Sequence, residues 1–273
     1  MSRRRGGLPP AVAFAALLAS GCAVPTLPGV EGPPAPAPLR EALLQSLAER
    51  EVALRALRGT ATVTVSVPGH RRRLREAFAL EAGGRLRLEQ YEWTGLPTMI
   101  LATDGETVAV HLPFARQFLR GRATGENLGR LAGLPVAPAT LTRLLLGLPP
   151  LPVDPGRVAV LGTPGTAALA LISEGEGAAQ ALRFAPDTHL LQEGELHEGG
   201  QPLLRFRFGP AEALEGVPVA RDLTLWHLPD GVEVAVTFQV LELNPSFPPD
   251  FFSLAPPADA GVSIVDVDRT ERP

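Results

Sequence analysis

Cys22 is the only cysteine among the 273 residues. A lone thiol can be a nucleophile or an attachment point, but it cannot close an internal disulfide. It follows Leu18-Ala19-Ser20-Gly21, behind an apolar run from Ala11 to Ala19 and a basic start, Arg3-Arg4-Arg5. Basic, apolar and small-residue regions in that order form a secretory signal, too short to remain as a membrane-spanning helix. The other reactive residues are dispersed. His70, His111, His189, His197 and His227 have no acidic company at metal-ligand spacing, so no metal is expected. No Gly-x-Ser-x-Gly elbow and no phosphate loop is present. Gly162-Thr163-Pro164-Gly165 suits a hairpin, since a strand follows it. The carboxylates are scattered, and no two can be paired as acid and base. The expectation is a protein with no catalytic residues and no cofactor.

A second residue asks for a partner of another kind. Leu96 sits in Thr94-Gly95-Leu96-Pro97, a turn that would ordinarily carry polar residues to water. Either it folds back into the core, or it is displayed to something apolar. The net charge of −4 argues against a nucleic-acid partner, which needs a concentrated basic surface. All 25 basic residues are arginine.

The elements that would position these residues follow from periodicity. Residues 23–38 are a Pro-rich extended tether. A helix follows, with Leu43, Leu44, Leu47, Leu54 and Leu57 on one face and Gly59 as its end. The period then switches to two. Val63 and Val65 alternate with Thr62 and Thr64, and Leu74, Phe78 and Leu80 share a face that Glu76 interrupts. Leu86 and Leu88 alternate with arginines, and Gly83-Gly84 and Asp104-Gly105 supply hairpin turns. Residues 124–147 are helical, opened by Thr124 and broken at Gly133-Leu134-Pro135. Strands then return at about 157–162, 166–173, 178–184, 189–196, 202–208, 219–228 and 232–243. This order predicts a mainly β (α+β) fold: one large curved antiparallel sheet, a half-open barrel, with a few short helices over its concave apolar face. The expected divisions are a signal at 1–21, the lone cysteine and tether at 22–38, a folded domain at 39–257, and a polar tail at 258–273.

Two resemblances refine this reading. Leu18-Ala19-Ser20-Gly21-Cys22 resembles a bacterial lipobox, which implies that Cys22 is acylated and becomes the mature N-terminus. In the lipoprotein sorting scheme that this signal resembles, Ala23 in place of aspartate implies the outer membrane. Residues 121–150 resemble LolB, the outer-membrane receptor of lipoprotein localisation. They carry its short helix (Leu128 to Leu131), the Leu134-Pro135-Val136 break, a second helix (Leu141 to Leu146) and a closing Gly147-Leu148-Pro149. The segment 242–257, with Asn244-Pro245 and Phe251-Phe252, is instead similar to the end of LolA, the related soluble carrier.

The resemblance implies a monomer anchored in the outer membrane by its N-terminal lipid and facing the periplasm. Its cargo would be acylated lipoproteins, received from a LolA-like periplasmic carrier and inserted into the membrane. Leu96 would be the apolar tip that enters the bilayer. The acyl cleft would be lined by Val63, Val65, Phe78, Leu86, Leu88, Ile100, Val108, Val110, Val236 and Phe238 from the sheet. Leu128, Leu131, Leu144 and Leu145 would close it from the lid. A scaffold of the same fold that binds a protein, or a carrier of another lipid or amphiphile, remain as alternatives.

Overall fold

Helix α1 (Ala37–Ala53) begins with a proline in its first turn, where the missing N–H has no helical partner to lose, and buries Leu43 and Leu47. It ends six residues before Gly59, because Leu57 and Gly59 belong to the first strand, β1 (Ala56–Val67). The leucine spacing that reads as one continuous helix is overridden at Ala56, where the backbone gains strand partners on both sides. Asn244 fixes the junction: its Oδ1 accepts from the Arg55 and Ala56 N–H groups at 2.8 and 3.3 Å, and its Nδ2 donates to the Ala53 carbonyl at 2.8 Å. Gly59 is needed for close approach rather than as a cap. A Cβ there would stand 1.8 Å from the Val240 carbonyl oxygen.

The computed structural model describes residues 32–91, 95–163, 169–174, 177–258 and 261–269. Cys22 lies outside the described residues, as do Trp93 and Thr94 ahead of Leu96. After β1 a meander of hairpins runs through β2 (His70–Glu81), β3 (Arg85–Tyr91), β4 (Pro97–Asp104), β5 (Thr107–Leu112) and β6 (Gln117–Arg122). Two short helices follow, α2 (Gly125–Ala132) and α3 (Pro138–Leu145). Strands resume with β7 (Val158–Leu161), β8 (Leu169–Glu174), β9 (Ala178–Phe184), β10 (Leu191–Glu198) and β11 (Gln201–Phe208). Then come β12 (Ala211–Leu214), β13 (Val217–Ala220), β14 (Asp222–His227), β15 (Val232–Leu243) and β16 (Ser263–Asp266).

Fourteen of these strands form one open sheet, in the order β16-β6-β5-β4-β3-β2-β1-β15-β14-β11-β10-β9-β8-β7. Its ends do not meet, so the mainly β, half-open architecture expected from the sequence is the one observed. The centre is the seam where β1 pairs antiparallel with β15, Leu57 opposite Leu243 and Val65 opposite Val234. β12 and β13 make a separate ribbon, in a stretch where the sequence suggested a strand only from residue 219.

Both ends of the chain do more than expected. Within the presumed tether, Pro34 bridges to Leu161 and the Ala35 N–H donates to the Val160 carbonyl at 2.9 Å, covering the β7 edge. Within the presumed polar tail, Ser263–Asp266 is a strand, and it lies parallel to β6, which makes the sheet mixed. Residues 245–254 pack on the convex face. Phe247, Phe251 and Phe252 form a ring cluster with centroids 4.8 to 5.2 Å apart, and Arg85 and Arg87 lie 5.3 and 5.4 Å from the Phe252 and Phe251 rings.

Candidate functional site

The concave face is set by register. Successive strands place Val63 and Val65 (β1), Phe78 (β2), Leu86 and Leu88 (β3), and Val236 and Phe238 (β15) on one side. The Phe78 and Phe238 rings face each other across β1 at 5.1 Å. Short helices have little stability of their own, so the lid needs anchors. Thr124 caps α2, its side chain accepting from the Asn127 N–H at 3.2 Å, and Gly133 ends the helix at φ 77°, a left-handed conformation that suits glycine. The Asn127 amide donates to the Arg122 carbonyl at 2.9 Å and to Asp268 at 2.7 Å, and Arg130 donates to the Val267 carbonyl at 2.9 Å. The amide of Asn127 is the main cause that holds the Asp268 carboxyl below its usual range. The C-terminal segment thus ties α2 to the sheet edge.

Helix α3 is held at its middle and just past its C-terminal end. Its Thr142 hydroxyl accepts from the Gly84 N–H at 3.2 Å, joining it to the β2–β3 turn. Just past its last turn, Arg50 of α1 donates to the Gly147 carbonyl at 3.1 Å, to Leu146 at 3.2 Å and to Pro218 at 2.7 Å. Arg143 bonds the Pro149 carbonyl at 2.7 Å and Glu51 at 2.6 Å.

Between lid and sheet lies a cavity of about 320 Å³. Ten of the fourteen residues proposed from sequence line it: Val63, Val65, Phe78, Leu86, Leu88, Leu128, Leu131, Leu145, Val236 and Phe238. Val108, Val110 and Leu144 do not. They are fully buried in the same core, with Val108 and Val110 opposite Thr103 and Leu101 on the concave face. Ile100 is misplaced by one residue. It pairs with Glu89 and His111, whereas its neighbours Met99 and Leu101 pair with Gln90 and Leu88, so Ile100 lies on the convex face. An apolar run such as Met99-Ile100-Leu101 gives no alternation from which to read a face. Sequence reasoning also missed Leu74, Met99, Leu134, Leu141, Leu225 and Val234 in the lining.

Two of the lining residues are charged, Arg72 and Glu76. Glu76 is 7% exposed, and burial pushes its carboxyl up to about 7. A second cavity of about 600 Å³ on the other half of the sheet is lined by Arg50, Arg183, Glu193 and Arg207. Glu193 is ion-paired there to both Arg183 at 2.8 Å and Arg207 at 3.0 Å. Among the histidines, His197 lies 3.1 Å from buried Glu195, which also accepts from Arg205. No group of three metal-ligating side chains occurs among the described residues.

Leu96 is 59% exposed in the β3–β4 turn. Antiparallel alternation puts the β1–β2, β3–β4, β5–β6 and β14–β15 turns at one end of the sheet, so Leu96 shares that end with Phe114, 68% exposed. Arg71, Arg72, Arg73, Arg75 and Arg116 are exposed on the same hairpins, and none is ion-paired among the described residues. No described helix is long and apolar enough to cross a membrane.

No protein-family model matches the sequence, and no curated protein sequence does either. Solved structures share the fold. A DUF1329 family protein from Desulfovibrio piger matches with a TM-score of 0.54 at 11% identity, over 78% of this chain and 96% of that one. A putative outer membrane lipoprotein-sorting protein domain from Vibrio parahaemolyticus matches with a TM-score of 0.52 at 12% identity, over 78% and 97%. A LolA superfamily protein from Nitrosomonas europaea matches with a TM-score of 0.50 at 11% identity, over 79% and 97%. At these identities the likeness is one of fold.

Proposed function

We propose that this chain is an envelope lipoprotein that takes the acyl chains of other lipoproteins into the cavity between sheet and lid and helps insert them into the outer membrane. The observation that carries the reading is the cavity itself, whose lining from both sheet and lid is apolar apart from Arg72, Glu76 and Gln90. Its volume of about 320 Å³ falls within the ~300–1,000 Å³ usual for small-ligand sites. An acyl chain gains about 0.8 kcal/mol per CH₂ on leaving water, so acylated cargo crossing an aqueous space needs such a shelter. The fold shared with a lipoprotein-sorting domain and a LolA superfamily protein supports this reading.

The end of the sheet beside Leu96 suits release. Two exposed apolar tips, Leu96 and Phe114, with exposed arginines on hairpins at the same end, match an interface of acyl chains below and phosphate headgroups above. Cys22 is the proposed anchor that keeps this end near the outer membrane, and a LolA-like carrier is the proposed donor. The test is mass spectrometry of what co-purifies with a Cys22→Ala chain expressed with its signal. Acylated protein or acyl peptides support the reading. Free phospholipid alone would assign the cavity to another amphiphile, and a protein partner bound outside the cavity would favour a scaffold.

A further inference from the structure

The inner face of β2 reads Arg72, Leu74, Glu76, Phe78 and Leu80, and Glu76 is out of character with it. Its cross-strand neighbours are Ala61 on β1 and Gln90 on β3, with Phe238 beyond Ala61 and Met99 beyond Gln90. The lid residues that line the same cavity are Leu128, Leu131, Leu134, Leu141 and Leu145. No hydrogen bond or ion pair reaches its carboxyl among the described residues. The one charge that shares the cavity, Arg72, lies four residues along the strand, about 13 Å away at the strand rise. β1, β3, β15 and both lid helices present no titratable group to the cavity. A site meant only for hydrocarbon would carry another leucine here, because a lone carboxylate in apolar surroundings is costly unless neutral or paired.

We propose that Glu76 reads the carbonyl of an acyl ester or acyl amide, its neutral acid donating O–H to that oxygen while the chain fills the cavity, so that binding takes up a proton. The proposal rests on the acyl-binding reading and narrows it to neutral acyl derivatives. The ligand class follows from the chemistry. A carbonyl only accepts, which matches the one donor a neutral carboxyl has, and the Gln90 amide beside it can donate to the same oxygen. A free fatty-acid anion would bring a second negative charge into the same unpaired space. An ammonium ligand would prefer the ionised carboxylate and bind better as pH rises.

With its carboxyl at about 7, Glu76 is partly protonated near neutral pH, and a ligand that shields it from water drives it further towards the acid form. The experiment titrates the full-length chain with a pyrene-labelled monoacylglycerol and with the matching pyrene-labelled alkane, from pH 6 to 8.5. The wild type should lose more than about tenfold in ester affinity across that range. Glu76→Gln should bind the ester with no pH slope, since its amide still donates. Glu76→Leu should bind the alkane as well as Glu76→Gln does, yet bind the ester several-fold less tightly. A flat or reversed slope in the wild type, a slope that persists in Glu76→Gln, or full ester affinity in Glu76→Leu would each overturn the assignment while leaving acyl binding intact. Failure of both probes with all three proteins at every pH would overturn the acyl-binding reading itself and the assignment with it.

Discussion

Removing the Arg50 side chain should loosen the lid from behind. Its guanidinium reaches three carbonyls on two elements, Leu146 and Gly147 just past α3 and Pro218 of β13, at 3.2, 3.1 and 2.7 Å. Helix ends leave carbonyls without helical partners, and here one cation satisfies the chain as it leaves α3. A hydrogen bond to a charged group contributes about 1.5–3 kcal/mol. Arg50 is half-buried, so water would replace part of what is lost, and about 1 kcal/mol for each of the three bonds is the discounted figure, ~3 kcal/mol in total. For a domain of this size each kcal/mol moves Tm by about 2–4 °C, which gives a fall of about 6–12 °C for Arg50→Ala. Arg58→Ala is the control. Arg58 also makes an ion pair, with Glu242, but both side chains are 50% exposed, and such pairs are worth about 0–1 kcal/mol. Thermal unfolding followed by circular dichroism at pH 7 reads both variants. An Arg50→Ala shift under about 2 °C, or one no larger than that of Arg58→Ala, would refute the reasoning.

Other expectations follow from single sites. Leu96→Glu, at an exposed turn, should change stability by less than about 0.5 kcal/mol in denaturant melts, yet abolish delivery of a bound acyl probe to liposomes; a strongly destabilised protein would return Leu96 to the core. Gly59→Ala should cost about 3 kcal/mol or more, because the new methyl would meet the β15 backbone in the middle of the sheet, and urea denaturation measures it. Val236→Arg should abolish uptake of a fluorescent acyl probe while leaving the strand spectrum intact, since the cavity offers the new cation only Glu76. The raised Glu76 carboxyl means that the folded state keeps its proton while the unfolded chain releases it. Stability should therefore fall as pH rises from about 4.5 to about 7, and Glu76→Gln should be more stable than wild type by ~3 kcal/mol at pH 8 but not at pH 4.

What could be read from the sequence depended on how many backbone partners each segment has. β15 and β1 alternate apolar with polar residues along the sequence, and that alternation gave Val63, Val65, Val236 and Phe238 directly. The lid was legible from its punctuation, Thr124 at one end and Gly133-Leu134-Pro135 at the break. Leu57 and Gly59 misled, because a three-residue leucine spacing satisfies a helix until strand pairing on both sides outweighs it. Ile100 misled because a run of three apolar residues has no phase. The Asn244 clamp and the Ser263–Asp266 strand depend on contacts between distant parts of the chain, which no local pattern carries. Glu76 was visible as a break in an apolar face; only its placement under the lid made it more than an exception.

The seam between β1 and β15 also sets when the molecule can come together. Each flank of the sheet is mostly local hairpins, β2 to β6 on one side and β7 to β11 on the other. Local pairs close quickly, whereas a strand that waits for a partner near the far end of the chain forms late and lengthens folding. The two flanks meet only when Leu57 finds Leu243 and Val65 finds Val234. A chain cut short before residue 232 would therefore lose its middle rather than an edge, leaving β1 with one bare side and the cavity without Val234, Val236 and Phe238. A nascent or partly threaded chain lacks this cavity, which comes into being with the last long strand.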